Sequence, residues 1–283
     1  MTAVNLTPRA GLGYIKRVAK TYTGPLRRRR ISLFEYDPDA AAYLAAVESA
    51  DGQALEEDVK LAINAFVVGC KADEIWSAIK ASCILAGART LAGALVPLVG
   101  VAPTNFNFEA EDYNRKTGLL GDGNTRDLDS NRLCSSDQQN NVHGAVYVST
   151  RDTAAGRYLS GTTFPTVPAT GTFAIVGNTT GFRARVQTSV LNSHSSNTAV
   201  PVLLGVSRAS SASYSWRDGN NSGTQSTASA GVSTGNYFIF SDNTGGNHSN
   251  ARLAFYSIGG SLNLNLLRDR VTALINAIAA AIP

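Results

Sequence analysis

Three histidines, three cysteines and two groups of acids are the side chains of this 283-residue sequence that could carry chemistry. His143, His194 and His248 lie far apart, with no acids or cysteines around them at ligand spacing, which predicts surface or turn positions and no metal site. Cys70, Cys83 and Cys134 form no CxxC pair, so three small buried or half-buried thiols in a reducing cytoplasm are expected, with no disulfide framework. The acids Glu109, Glu111, Asp112 and Asp122, Asp127, Asp129 raise the paired-carboxylate chemistry of glycoside hydrolysis. Concanavalin-like glucanases place such acids as E-x-D-x-x-E on one strand. Here Glu109-Ala110-Glu111-Asp112 is out of phase, and Asp127-Leu128-Asp129 is followed three residues later by Arg132. These acids are therefore expected in turns or on solvated faces, with weak calcium binding as the alternative.

Other catalytic patterns are missing as well. The sequence has no GxSxG elbow, no HExxH, and no phosphate loop with its Lys-Ser/Thr. The glycine-rich 118–123 segment should lead into a strand, so its amides would build no helix-end phosphate cradle. The expectation is a non-enzyme without cofactor or metal.

The elements that would position any site follow from composition and period. Hydrophobic residues make up 43% and charged residues 16%, with mean hydropathy −0.05, which excludes a highly charged disordered chain and a multi-span membrane protein. The apolar run 81–102 is broken by Arg89 and Pro97 and is expected to be buried or to lie at an interface. The net charge of +4 is uneven, because eight of the 25 basic residues precede residue 36. Residues 1–35 read as an extended basic arm, with Arg27, Arg28, Arg29 and Arg30 adjacent and Tyr14, Tyr22, Leu26, Ile31, Leu33 and Phe34 as apolar anchors. Docking on a protein partner is the favoured role of those four arginines, ahead of a solvated tail and then of nucleic acid.

Helix signals begin at Asp37-Pro38, with Ala40, Tyr43, Leu44 and Val47 in helical phase until Asp51-Gly52. A second helix is expected from about Leu55, with Val59, Ile63, Phe66 and Cys70 on one face, and a third near Ala72, with Ile75, Trp76, Ile79 and Cys83. Half of residues 141–250 are Gly, Ser, Thr or Asn, and short apolar bursts at 145–148, 173–176, 182–190, 200–206, 214–216, 237–240 and 253–258 interrupt them. That pattern predicts a β-sandwich, most economically a jelly roll. Leu264, Leu267, Val271, Leu274, Ile278 and Ile282 then define an amphipathic C-terminal helix, packed on its own chain or on copies of itself. The fold class is α+β: basic arm 1–35, helical unit and linker 36–103, sandwich 104–262 and helix 263–283.

Three strings, AFVVGCKADEIWSAIKASCILAGARTLAGALVPLVG (65–100), PTNFNFEAEDYNRKTGLLGDGNT (103–125) and ARLAFYSIGGSLNLNLLRDRVTALINAIAAAI (251–282), resemble a family of phage and prophage tail, fibre and virion proteins. The blocks keep their order, and the resemblance runs from about residue 36 to the C-terminus. Residues 118–260 also resemble the laminin G and concanavalin-like lectin sandwich: GLLGDGNTRDLDS its opening strand, YSWRDGN (214–220) a hairpin, LAFYSIGGSL (253–262) its closing strand.

The resemblance implies a structural, oligomeric virion component made in the host cytoplasm. Its implied partners are other virion proteins, copies of itself and host surface glycan, without membrane insertion. Tail or fibre attachment leads, with capsid decoration as the alternative and a polysaccharide depolymerase behind both. If the sandwich binds glycan, Tyr214, Trp216, Asp218 and Asn220 are the candidates; the competing reading puts the two aromatics in the core and Asp218-Gly219 in a hairpin turn.

Overall fold

A computed structural model describes residues 35–153, 155–162, 172–178, 181–195 and 199–283. The arm up to residue 34, with Arg27 to Arg30, lies outside the described residues.

Helix α1 (Pro38–Asp51) starts as its sequence dictates, with the Asp37 carboxylate accepting from the Asp39 N–H, Pro38 in the first turn and Gly52 in the left-handed conformation at the end. Helix α2 (Glu57–Ala72) carries Glu57 and Asp58 in its first turn. After the short helix α3 (Leu91–Ala94), the only other α-helix among the described residues is α4 (Leu264–Ala281).

Among the described residues sixteen strands form two antiparallel sheets. The nine-stranded sheet comprises β1 (Ile79–Ile84), β2 (Pro97–Val99), β4 (Tyr113–Asn114), β5 (Gly118–Leu120), β7 (Val142–Thr150), β12 (Val202–Arg208), β13 (Tyr214–Asp218), β14 (Asn221–Gln225) and β16 (Arg252–Gly259). Its main order is β14-β13-β12-β7-β16-β1-β2. The seven-stranded sheet comprises β3 (Thr104–Phe106), β6 (Asp127–Leu133), β8 (Tyr158–Gly161), β9 (Thr172–Asn178), β10 (Gly181–Thr188), β11 (Asn192–Ser195) and β15 (Asn236–Ile239), in the order β11-β10-β9-β8-β15-β6-β3.

The third expected helix is a strand. After a single 3-10 turn at Trp76–Ala78 the chain enters β1, which pairs with β16 and β2. Ala81, Cys83 and Leu85 point into the sandwich, while Ile84 and Ala86 point to the helices. With both faces buried the run reads as continuously apolar, and period alone cannot tell it from a helix.

Sheet and helices thus form three layers. One core lies between the sheets, with Val146 and Val148 of β7, Leu204 and Val206 of β12, Phe173 and Ile175 of β9, and Phe182 of β10. The other lies between the back of the nine-stranded sheet and α1, α2 and α4, where Tyr147, Leu203 and Phe255 meet Phe66, Leu267, Val271, Leu274 and Ile278. Phe66 and Phe255 meet edge to face at 5.7 Å, and Arg270 of α4 grips Asp73 after α2 with two bonds of 2.7 and 2.9 Å. The C-terminal helix therefore packs on its own chain. The helices occupy the outer side of the nine-stranded sheet.

Candidate functional site

Tyr214, Trp216 and Asp218 alternate along β13 and share one face, which is the inner one. Tyr214 is buried, its hydroxyl within 3.0 Å of His194 Nε2 and donating to the Ala184 carbonyl, and burial pushes its phenol up to about 12. Trp216 is half-buried, stacked on His194 at 4.9 Å and edge-on to Phe182. Asp218 is fully buried and paired with Arg151 at 3.2 Å. Asn220 is exposed in the β13–β14 turn, where its side-chain carbonyl accepts from Arg268. The four residues present no common surface, which corrects the sugar site expected there: with Val206 and Leu204 facing the other sheet, the adjacent β13 row must face it too.

The histidines are corrected likewise, since all three are buried. His143 sits between the Gly260 carbonyl and Ser257 Oγ, and burial lowers it to about 4; burial lowers His194 to about 4 as well. All three cysteines are free and buried.

Several of the acids serve turns. Asp112 accepts from the Glu109 N–H and pairs with Arg126, whereas Glu111 is exposed. Asp122 closes the turn after β5: burial works against its charge, but the N–H groups of Thr125, Asn124 and Arg126 hold the carboxyl well below the usual range. The segment 118–123 is a strand and turn, as expected.

Asp127 and Asp129 are different. They alternate on β6 with Leu128 in the core, so both belong to the outer face of the seven-stranded sheet. Asp127 is buried, not solvated, and its Oδ2 accepts from Ser241 Oγ at 2.9 Å and pairs with His248 Nε2 at 3.0 Å. Burial raises its pKa despite those bonds. Asp129 accepts from the Asn131 N–H at 2.8 Å and from Asn236 Nδ2 at 2.9 Å.

Phe106 lies opposite Asp127 in register, and Phe238 opposite Asp129. The two rings stack nearly parallel, 8° apart with centroids at 6.2 Å, and Phe106 is 42% exposed. The next strand, β8, places Gly161 opposite Phe238, and a Cβ there would fall 2.5 Å from Tyr158 Cδ1, so the Tyr158 ring lies over that glycine. Its hydroxyl receives a hydrogen bond from Arg185 at 2.8 Å.

An aromatic pair flanked by two carboxylate-containing polar pairs can stack on an apolar sugar face and hydrogen-bond its hydroxyls. It forms no nucleophilic relay, because Ser241 bonds the Asp127 carboxylate and not the imidazole. Among the described residues no cluster of three His, Cys, Asp or Glu could hold a metal, and no helix is long and apolar enough to cross a membrane. Sequence reasoning missed Phe106, Phe238, Tyr158 and Asn236. The one available signal was that Tyr237 and Ile239 alternate, leaving Phe238 on the opposite face.

No protein-family model matches the chain, and no curated protein sequence does. Among solved structures it is similar to Trypanosoma rangeli sialidase, at 12% identity and a TM-score of 0.36. The match covers 74% of this chain and spans only 38% of that protein's length.

Proposed function

We propose that the chain is a non-catalytic structural component of a bacteriophage particle, of the tail or fibre type, and that the outer face of its seven-stranded sheet recognises carbohydrate. The virion part is supported by the resemblance of residues 65–100, 103–125 and 251–282. The carbohydrate part rests on one observation: Phe106 is held exposed and stacked on Phe238, beside the Asp129–Asn236 pair, on the sheet face opposite the helical layer. Non-catalysis is supported by the state of the acids. Asp129 has both oxygens held by Asn131 and Asn236, and Asp127 is buried against His248 and Ser241.

The basic arm anchors the subunit to other virion proteins. Single-site glycan affinity on so shallow a face is weak, and several copies on one particle raise avidity by roughly 10²–10⁴. The test has two arms. Purified protein incubated with host envelope polysaccharide should release no reducing ends, while particles carrying it should be blocked by the same polysaccharide. Sugar release that disappears in Asp129→Asn would overturn the non-catalytic reading. Unblocked particles would overturn recognition, and full incorporation of a chain lacking residues 2–35 would overturn anchoring.

A further inference from the structure

We propose that the ligand of this face is an anionic, carboxylate-bearing polysaccharide, its sugar rings on Phe106 and Phe238 and a carboxylate on Arg183. The inference rests on the carbohydrate-recognition reading above and adds the ligand's charge and its direction across the sheet.

The face is continuous beyond Tyr158. Phe238, Gly161, Ala174 and Arg185 stand in one register row, and Tyr158, Val176 and Arg183 in the next. Both arginines lean back across β9 toward β8. Arg185 reaches the Tyr158 hydroxyl, and a Cβ on Gly156, just before β8, would fall 3.2 Å from Arg183 Nη2. Beneath them Ala174 and Val176 are buried together with Tyr158 as a separate small cluster. The accessible aromatic surface is thus Phe106 and Phe238, and along the row of strands it is followed by the buried Tyr158 and the two guanidiniums beside it.

Charge divides the face. The acids Asp127 and Asp129, with His248, lie at the β6 end, and Arg183 and Arg185 lie at the β10 end. Arg183 is half-buried and has no carboxylate partner among the described residues. A partly desolvated guanidinium is costly without an anion, and it favours a planar, bidentate one. An anionic group would therefore settle at the β10 end and be repelled from the β6 end. Because the guanidiniums lean over β8, three strand spacings, roughly 14 Å, separate them from β3, so a ligand touching both ends is longer than a single sugar.

Full-length protein carrying Arg27→Ser, Arg28→Ser, Arg29→Ser and Arg30→Ser removes the arm's charge and serves as the parent. Its affinity for immobilised polygalacturonate and for dextran is read by biolayer interferometry, with a twenty-residue oligothymidylate as competitor. The expected result is polygalacturonate bound about tenfold tighter than dextran. Arg183→Gln should reduce that advantage to nothing and leave dextran binding alone. Phe106→Ser should weaken both polymers by about tenfold, with thermal midpoints of both variants within about 2 °C of the parent.

Equal affinity for the two polymers, or an Arg183→Gln variant that keeps its preference, overturns the anionic assignment and leaves the carbohydrate reading standing. Oligothymidylate that displaces the polymer more effectively than free polygalacturonate assigns the face to nucleic acid and overturns both. Absence of binding to either polymer overturns the carbohydrate reading, and with it this inference.

Discussion

Replacing Arg208 with methionine should destabilise the sandwich more than any substitution of a surface charge. Arg208 ends β12 in the nine-stranded sheet and is fully buried, yet it has no carboxylate partner among the described residues. Its guanidinium instead donates to backbone carbonyls: Nε to Val186 on β10 at 2.8 Å, Nη1 to Ser210 at 2.9 Å and Ser213 at 3.2 Å, and Nη2 to Thr227 at 2.9 Å. It also lies 5.4 Å from the Tyr214 ring centroid. One side chain thereby clasps the two sheets and fixes the loop between β12 and β13.

Hydrogen bonds from charged donors contribute about 1.5–3 kcal/mol each, so the three shortest amount to at least about 4 kcal/mol gross. Methionine fills most of the volume and removes a desolvated charge, and the Ser210 and Thr227 carbonyls regain water, which leaves a net loss of about 2–3 kcal/mol. For a chain of this size that lowers the thermal midpoint by roughly 3–5 °C. Urea unfolding followed by tryptophan fluorescence reads it directly. Arg208→Lys should recover less than half, because one ammonium cannot reach both Val186 and Thr227. A methionine variant within about 0.5 kcal/mol of the parent, or a lysine variant equal to it, would refute the clasp.

Leu274, 2% exposed on α4, packs in the helical core, and Leu274→Asp should cost at least about 3 kcal/mol and leave soluble protein only at low temperature, as a melting curve would register. Asp152 is buried with Oδ1 accepting from Ser249 and the Asn250 N–H and Oδ2 without a partner, and burial raises its pKa. Its contribution is therefore full below the unfolded value near 4 and is lost as pH rises, so Asp152→Asn should stabilise at pH 7 and lose that gain by pH 3 in urea titrations. His143 and His194, lowered to about 4 from 6.5, behave oppositely: their stability is present above 6.5 and is lost as pH falls toward 4. Ring resonances of both that stay neutral at pH 5.5 are expected in an NMR titration, and midpoints near 6.5 would disprove their burial.

Where one face of an element is buried, the sequence carries its period openly. The β10 alternation Phe182, Ala184, Val186 and the α4 stripe are both read directly from residue spacing, as are the Asp37-Pro38 start and Gly52 end of α1. On β10 the alternation breaks where Gln187 adopts a positive φ of 54° at an irregularity in the pairing, and Val190 beyond it is exposed. Strands buried on both faces lose the signal. That is why β1 reads as a helix, and why His143, inside the unbroken 142–148 run of β7, is not recognised as a core residue. The site is hidden for another reason. Spacing places Tyr214, Trp216 and Asp218 on one face of β13 but does not say which face, and that choice belongs to the partner sheet.

The layer order decides where recognition can occur. A helical layer already lies against one side of the nine-stranded sheet and the second sheet covers the other, so its polar residues are drawn into internal bonds, as Asp218 is with Arg151. The seven-stranded sheet has its main core on one side and only the small Tyr158, Ala174 and Val176 cluster on the other. On β15 that core takes Tyr237 and Ile239, which forces Phe238 outward, and a one-residue slip to hide it would expose both of the others. Phe106, from the edge strand β3, covers part of Phe238 but remains 42% exposed itself. The three exposed residues of β3 are held in place by side-chain bonds from Asn105, in the strand itself, to Phe108 O at 2.9 Å and from Asn131 of β6 to Ala102 O at 2.8 Å. An aromatic ring kept exposed on a strand pinned this firmly is presented at a fixed position. A ligand that stacks on it meets a preformed surface and loses little affinity to ordering it.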